Sequence, residues 1–355
     1  MTLIDTARQV RAGEELDAVA LAAYLRTGLG TSGGVPEIRQ YPSGYSNLTY
    51  ELAIDGRKLV LRRPPFGTKA KTAHDMGREY RVLSALHPVY PLCPRPLAFC
   101  ADPGVIGAEF YVMEHIGGLI IRKDYPAGFD ADPQRVRSHF LGMIDALAGL
   151  HQLDYVAAGL GDLGRPAGYT ERQVTGWTRR YVAARTEDAP AFDDVMDWLA
   201  RNQPPDAGRA ALIHNDFKHD KVIWDPDHPL RLIGVLDWEM CTLGDPVMDL
   251  AGTLGYWVEP DDPPYMQETR LMPTDVPGAP TRREVIAHYE RATGHRVEPL
   301  DFYLCFGWFR LAVVGQQLYY RFHEGKSRDP RLAQCADWVR ALECMCQRVI
   351  RGKMS

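Results

Sequence analysis

No C-x-x-C pair occurs in the 355 residues. The seven cysteines, at 93, 100, 241, 305, 335, 344 and 346, are an odd number, and Cys344-Met345-Cys346 is too closely spaced for a zinc knuckle. Core packing in a reducing compartment fits that pattern better than a disulfide framework. Long apolar runs are missing too: the most apolar window, Phe302 to Tyr320, is broken by Arg310, Gln316 and Gln317, which is too polar for a bilayer span. Met1-Thr2-Leu3-Ile4-Asp5 has no basic stretch leading into an apolar one, so no signal peptide is expected. A net charge of −5 offers no electrostatic case for binding nucleic acid or an anionic membrane. Repeats and low-complexity tracts are absent. The expectation is a cytoplasmic protein, monomer or homodimer, with no nucleic-acid or membrane partner. Its length allows two domains or lobes.

What is present is concentrated in one stretch, Ile213-His214-Asn215-Asp216-Phe217-Lys218-His219-Asp220-Lys221-Val222, and its sequel Leu232-Ile233-Gly234-Val235-Leu236-Asp237-Trp238-Glu239. Two apolar runs, Ala210 to Ile213 and Leu232 to Leu236, flank the turn cluster Asp225-Pro226-Asp227-His228-Pro229. The simplest geometry pairs the two runs as strands that present Asp216 and Asp237 at neighbouring ends. One acid then accepts a proton and the other holds a metal. Phosphoryl transfer needs that division: a carboxylate to orient and deprotonate a hydroxyl, and metal ions to neutralise the β- and γ-phosphates. Protein kinases write it H-R-D-L-x-x-x-N and then D-F-G; here His214-x-Asp216-x-Lys218-x-x-Lys221 keeps the spacing and Asp237-Trp238-Glu239 stands in the later position. A hydrolase using His214 and Asp216 lacks any G-x-S-x-G nucleophile. In an extended segment Glu239 alternates onto the face of Asp237, where it either adds an oxygen to the metal or faces solvent.

Upstream, Asp17 to Leu25 reads as a capped helix, and Asp55-Gly56 as a tight hairpin between Leu48–Ile54 and Lys58–Arg63. The small polar connection Pro42-Ser43-Gly44-Tyr45-Ser46-Asn47 can lay backbone N–H groups over phosphates. Residues 73–86 form an amphipathic helix that offers Glu79 as a partner for Arg62. Arg62 is otherwise an exposed strand charge. Phe110 to His115 reads as a strand.

These motifs resemble the aminoglycoside phosphotransferase and choline kinase superfamily, which shares the protein-kinase fold. The similarity is greatest to the branch found as single bacterial proteins and as a domain fused to some acyl-CoA dehydrogenases. The matching text is Ile213 to Lys218, Gly234 to Glu239, Leu243-Gly244-Asp245-Pro246 and Asp249-Leu250, and the resemblance runs from about Glu37 to Leu332. It implies an α+β, two-lobed protein-kinase-like fold with its active site in the cleft. An N-terminal helical segment (1–34) precedes a small antiparallel β N-lobe (35–115) and a larger, mostly helical C-lobe (116–355). It further implies ATP and Mg2+ as cofactors. Ser43, Gly44, Ser46 and Asn47 would form the nucleotide-positioning loop, and Arg62 with Glu79 would clamp the α- and β-phosphates. Backbone groups of Glu114 and His115 would meet adenine, Asp216 and Lys218 would act in catalysis, and Asp237 with Glu239 would hold the metal. Asp249 would brace the catalytic loop. The protein-kinase A-P-E segment is absent, so a small hydroxylated molecule is the expected acceptor, a hydroxyacyl-CoA or hydroxy acid before an aminoglycoside.

Lys221 departs from the family, which has a metal-binding asparagine there. An ammonium has only donors and cannot coordinate a cation. Three outcomes stay open: Lys221 points away, its charge substitutes for one metal ion, or the chain is a catalytically weak nucleotide-binding pseudokinase.

Overall fold

The computed structural model describes residues 6–42, 47–66, 75–206 and 208–353; Ser43, Gly44 and Ser46 of the expected phosphate loop lie outside them. The fold is α+β and divides into two compact units. The first takes in the chain up to Ile120, with Ala158–Leu160 and Val222–Met240; the second takes in Ile121–Ala157, Gly161–Lys221 and the chain from Cys241 on.

In the first unit, α1 (Ala18–Leu29) begins where the Asp17 carboxylate accepts from the N–H groups of Val19 and Ala20, and ends at Gly30 in the left-handed region. Strands β1 (Glu37–Gln40), β2 (Leu48–Ile54), β3 (Arg57–Arg63), β4 (Pro96–Cys100) and β5 (Phe110–Glu114) form an antiparallel sheet in the order β1-β2-β3-β5-β4. Asp55 and Gly56, at φ 51° and 69°, make the β2–β3 turn, the pair of positive φ values that a two-residue hairpin needs. β4 is a strand the sequence does not announce. It opens on Pro96 at the sheet edge, where a missing N–H costs no ladder bond. The period-2 alternation of β2 and β3 sends Leu48, Tyr50, Leu52, Ile54, Leu59 and Leu61 into one core with Leu21 and Leu25 of α1. Arg62 therefore leaves β3 on the opposite face from Leu61. Helix α2 (Met76–Leu86), capped by Asp75, buries Met76, Val82, Leu83 and Leu86, and Glu79 on the same stripe.

The two apolar runs around Asp216 and Asp237 do not pair with each other, contrary to the expectation. β6 (Ala211–Ile213) pairs with β9 (Thr242–Gly244) in the second unit, and β7 (Val222–Trp224) pairs with β8 (Leu232–Val235) in the first. The turn between β7 and β8 decides this: Asp225 Oδ1 accepts from the N–H groups of Asp227 and His228, closing a local hairpin.

The second unit is mostly helical: α3 (Pro133–His151), α4 (Tyr169–Ala184), α5 (Asp193–Arg201), α6 (Pro246–Gly255), α7 (Pro264–Glu268), α8 (Arg282–Thr293), α9 (Leu300–His323) and α10 (Cys335–Ile350). The short α7 interrupts the stretch 259–279 that reads as loop. Residues Phe302 through Val313 of α9 are all buried, so the longest apolar run is a core helix. No helix among the described residues is long and apolar enough to cross a membrane. All seven cysteines are free.

α6 and α9 touch through glycines. A Cβ on Gly307 would lie 2.3 Å from the Ala251 carbonyl oxygen, and one on Gly255 would lie 3.0 Å from the Gly307 oxygen. Gly307→Val should therefore lower stability by about 1–3 kcal/mol through overpacking, read as a drop in thermal midpoint. Gly149→Ala, at a helical glycine with nothing within 4 Å, should leave the midpoint unchanged or raise it.

Candidate active site

Of the expected site residues of the first unit, Glu79, Asp237 and Glu239 converge on the Arg62 guanidinium. Arg62 Nη1 donates to Glu79 Oε1 at 2.9 Å, and Nη2 donates to Asp237 Oδ1 at 3.1 Å and Glu239 Oε2 at 3.5 Å. Asn47 Nδ2 donates to the same Glu239 oxygen at 2.5 Å, and Arg78 Nη1 to the Glu239 carbonyl at 3.1 Å. Only 9% of the Arg62 side chain is exposed, and a charge so placed must be paired. Burial works against its charge, but Glu79, Tyr111, Asp237 and Glu239 more than compensate, so the guanidinium stays protonated. Burial raises the Glu79 carboxyl, and Asp237 adds to that, while Arg62 opposes it.

Glu239 reaches this cluster by a different route from the expected one. Residues 238–240 form a 3-10 turn, not an extended segment, and Asp237 itself sits at φ 70°. Aspartate tolerates that region better than most side chains. The turn is pinned by Trp238, 1% exposed, whose Nε1 donates to Val235 O and whose ring meets Tyr90 edge-on.

Glu114 and His115 lie at the end of β5. The Glu114 N–H is committed to Arg95 O at 2.9 Å, and its Oε1 accepts from the Arg95 N–H. The His115 ring bonds the Tyr41 hydroxyl at 2.9 Å and stacks on that ring at 6.5 Å.

In the second unit Asp216, Lys218 and Lys221 come together. Lys218 Nζ lies 3.4 Å from the Asp216 carboxylate and Lys221 Nζ 3.6 Å from its Oδ2. Lys221 thus points at Asp216. The segment carrying them is irregular, so its backbone groups need partners outside it, and α6 supplies them from one face. Asp249 accepts from His214 N and Asn215 N, both at 2.7 Å; Thr253 Oγ1 donates to Phe217 O at 2.8 Å; the Tyr256 hydroxyl donates to Asp216 Oδ1 at 3.3 Å. Positions 249, 253 and 256 are spaced i, i+4, i+7, one stripe of a helix. Pro246 at the first turn and the Asp245 cap start that helix, as the sequence suggests. His214 Nδ1 accepts from Asp216 N at 3.2 Å, and Asn215 is held at φ 66°. Burial pushes the Asp249 carboxyl up, but the bond and charge of His151, with His214, outweigh it, and the group sits below its ordinary value. His151 is a fully bonded packing histidine between Asp249 and the Tyr289 hydroxyl.

Thr253, Tyr256 and Arg78 are the contacts the sequence reading missed. The polar stripe on an otherwise apolar α6 was the available signal for the first two. Nothing marks Arg78, which reaches 161 residues along the chain. Among the described residues no three His, Cys, Asp or Glu side chains gather to ligate a metal. Asp237 and Glu239 are the two carboxylates that meet at one atom, Arg62 Nη2. Two hard oxygen donors fit a magnesium ion that takes its other ligands from water and phosphate.

A family profile described as "Phosphotransferase enzyme family" matches residues 37–285. Acyl-CoA dehydrogenase family member 11 of Gallus gallus is 37% identical over 314 residues, covering 87% of this chain but 40% of its own length. Family member 10 of Mus musculus is 35% identical over 329 residues, 91% of this chain and 30% of that protein. The chain therefore spans less than half the length of these curated relatives. Among solved structures, a candidate aminoglycoside phosphotransferase from Ralstonia eutropha is 30% identical, with a TM-score of 0.80 over 95% of this chain and 99% of that one. Choline kinase from Cryptosporidium parvum shares the fold at 12% identity, with a TM-score of 0.61 over 95% and 98%.

A depressed folded-state carboxyl contributes stability that is present above its unfolded value, 3.8, and is lost as pH falls through the lower folded value. Asp249→Asn should cost about 1–3 kcal/mol near neutrality, since an amide keeps only one acceptor oxygen. Denaturant midpoints taken below pH 3.8 should then fall less steeply for the variant than for the native chain.

Proposed function

The chain belongs to the phosphotransferase enzyme family, and from that premise we propose that it is an ATP-dependent kinase transferring a phosphoryl group to the hydroxyl of a small molecule. The observation that carries the proposal is the clamp of α6 on the segment bearing Asp216: two backbone N–H groups, a carbonyl and the carboxylate itself are all held by Asp249, Thr253 and Tyr256. Such rigidity is what a general base needs, because phosphoryl transfer depends on placement more than on covalent chemistry.

In this reading Asp216 orients the acceptor hydroxyl and takes its proton as the acceptor oxygen bonds to the γ-phosphorus. The bond from that phosphorus to the β–γ bridging oxygen breaks, and ADP leaves. Lys218 meets negative charge on the phosphoryl group. Asp237 and Glu239 would hold Mg2+, which when bound neutralises charge on the phosphates. Arg62, kept in place by Glu79, pairs with the α- and β-phosphates, and Asn47 positions Glu239. AMP-PNP and ADP are the nucleotides bound in the structures of related antibiotic phosphotransferases, which favours ATP as donor here. The acyl-CoA dehydrogenase relatives favour a hydroxyacyl-CoA or hydroxy acid as acceptor.

Lys221, beside the Asp216 carboxylate, supports the reading in which a fixed ammonium supplies positive charge that other members draw from a second metal. ADP release with Mg-ATP and pools of hydroxylated metabolites tests the whole. Asp216→Asn should lower the rate roughly 10²–10⁴-fold, the range of general-base catalysis, and Asp237→Asn should raise the magnesium requirement. A silent native chain alongside an active Lys221→Asn variant would contradict the proposal and identify a pseudokinase.

A further inference from the structure

We propose that the acceptor carries an oxyanion, a carboxylate or phosphate, bound by Arg180 and Arg310 beside the ring of Trp177. The inference rests on the kinase reading and adds to it the residues that hold the acceptor's anionic group.

Trp177 on α4 is 6% exposed and meets two guanidinium groups: the central carbon of Arg180 lies 4.5 Å from the ring centre and that of Arg310 5.4 Å. Arg310 is 8% exposed on the core helix α9. Its Nη2 donates to the carbonyl of Asn215. Its Nη1 passes so close to α6 that a Cβ on Gly252 would lie 2.5 Å away. Buried charges are ordinarily paired with opposite ones, and the other deeply buried arginine of this unit obeys: Arg282 bonds Glu259 and Asp262. Arg310 has a carbonyl and an aromatic face, and no carboxylate bonds it among the described residues. Arg180 is no better balanced. Burial, then the charges of Arg310 and Arg179, hold its guanidinium below the ordinary value, and no acid offsets them. Of the three only Arg310 is buried, and the exposed Arg179 and Arg180 add positive field beside it that an arriving anion would meet.

Their placement points to the acceptor. Arg310 bonds the carbonyl of Asn215, and Asp216 follows directly, about 3.8 Å further along the Cα trace. Arg310 also acts on Tyr256, whose hydroxyl bonds Asp216. An acceptor with its hydroxyl at Asp216 can lay an oxyanion on the planar forks, which suit carboxylate and phosphate bidentately. Cationic acceptors such as choline are repelled by the same charges.

Thermal-shift titrations with saturating Mg-ATP test this on four probe sets: hydroxy carboxylates, hydroxyacyl-coenzyme A thioesters, the neutral amides of the same hydroxy acids, and choline. Stabilisation should be confined to the first two, and the stronger of them identifies the oxyanion. Arg180→Glu, at an exposed position that should leave folding intact, should weaken it about tenfold or more, and Arg180→Lys, which keeps the charge but not the fork, should fall between that variant and the native chain. Three results overturn the inference: no anionic probe stabilises, amides or choline stabilise as well, or Arg180→Glu binds like the native chain. ADP release on the same probes separates the two readings. Anion binding that depends on Arg180, without ADP release, upholds the anion site and refutes the kinase; release on amides or choline, indifferent to Arg180, upholds the kinase and refutes the site.

Discussion

An irregular backbone segment can present a reactive side chain only if its own polar groups are satisfied elsewhere. Between β6 and the turn at 219–221 the chain has no ladder or helix to do this, and α6 does it instead. One carboxylate, Asp249, accepts two successive N–H groups at 2.7 Å each, and it stays ionised in a buried setting because His151 and Tyr289 complete the chain of bonds behind it. The glycine contact with α9 fixes α6 in turn. Helix packing in the second unit is thereby converted into the position of one carboxylate, that of Asp216.

The first unit solves a related problem with the opposite charge. A guanidinium withdrawn from water needs acceptors: Arg63 takes the carbonyls of Pro64 and Ile106, and Arg62 gathers three carboxylates from a helix, a strand end and a turn. Replacing Arg62 itself by an apolar residue would leave the buried Glu79 carboxylate uncompensated, a loss of about 3–5 kcal/mol when a buried pair is broken. That cost binds Asp237 and Glu239 into one cluster even though a 3-10 turn separates them. Both units hold a polar side chain at positive φ at the candidate acid, Asn215 beside Asp216 and Asp237 itself. Surrounding bonds carry that strain, as is usual at functional positions.

Local signals were legible in the chain and distant pairings were not. The Asp17 and Asp245 caps, the Asp55-Gly56 hairpin and the amphipathic stripe of α2 each depend on neighbours a few residues away, and the structure has them where the sequence implies. Glu79 is legible as the Arg62 partner only through the resemblance, which sets a helix glutamate against that strand charge; the residues alone leave a solvated surface glutamate equally open. The pairing of 210–213 with 232–236 went wrong because strands of three or four apolar residues carry almost no register information; the Asp225 turn settled the partners instead. Glu239 reached the acid cluster although its alternation was misread, since a 3-10 turn and a strand bring i and i+2 round differently. Tyr256 and Arg310 escaped notice for a simpler reason: each meets its partner dozens of residues away along the chain.

Phosphoryl transfer to an alcohol is tested most directly by phosphorus NMR. The native chain, supplied with Mg-ATP and a mixture of hydroxylated metabolites, should build up a new phosphomonoester resonance matched by ADP, and Asp216→Asn should not. Inorganic phosphate as the sole new signal, or an Asp216→Asn variant that forms the ester at the native rate, would contradict it.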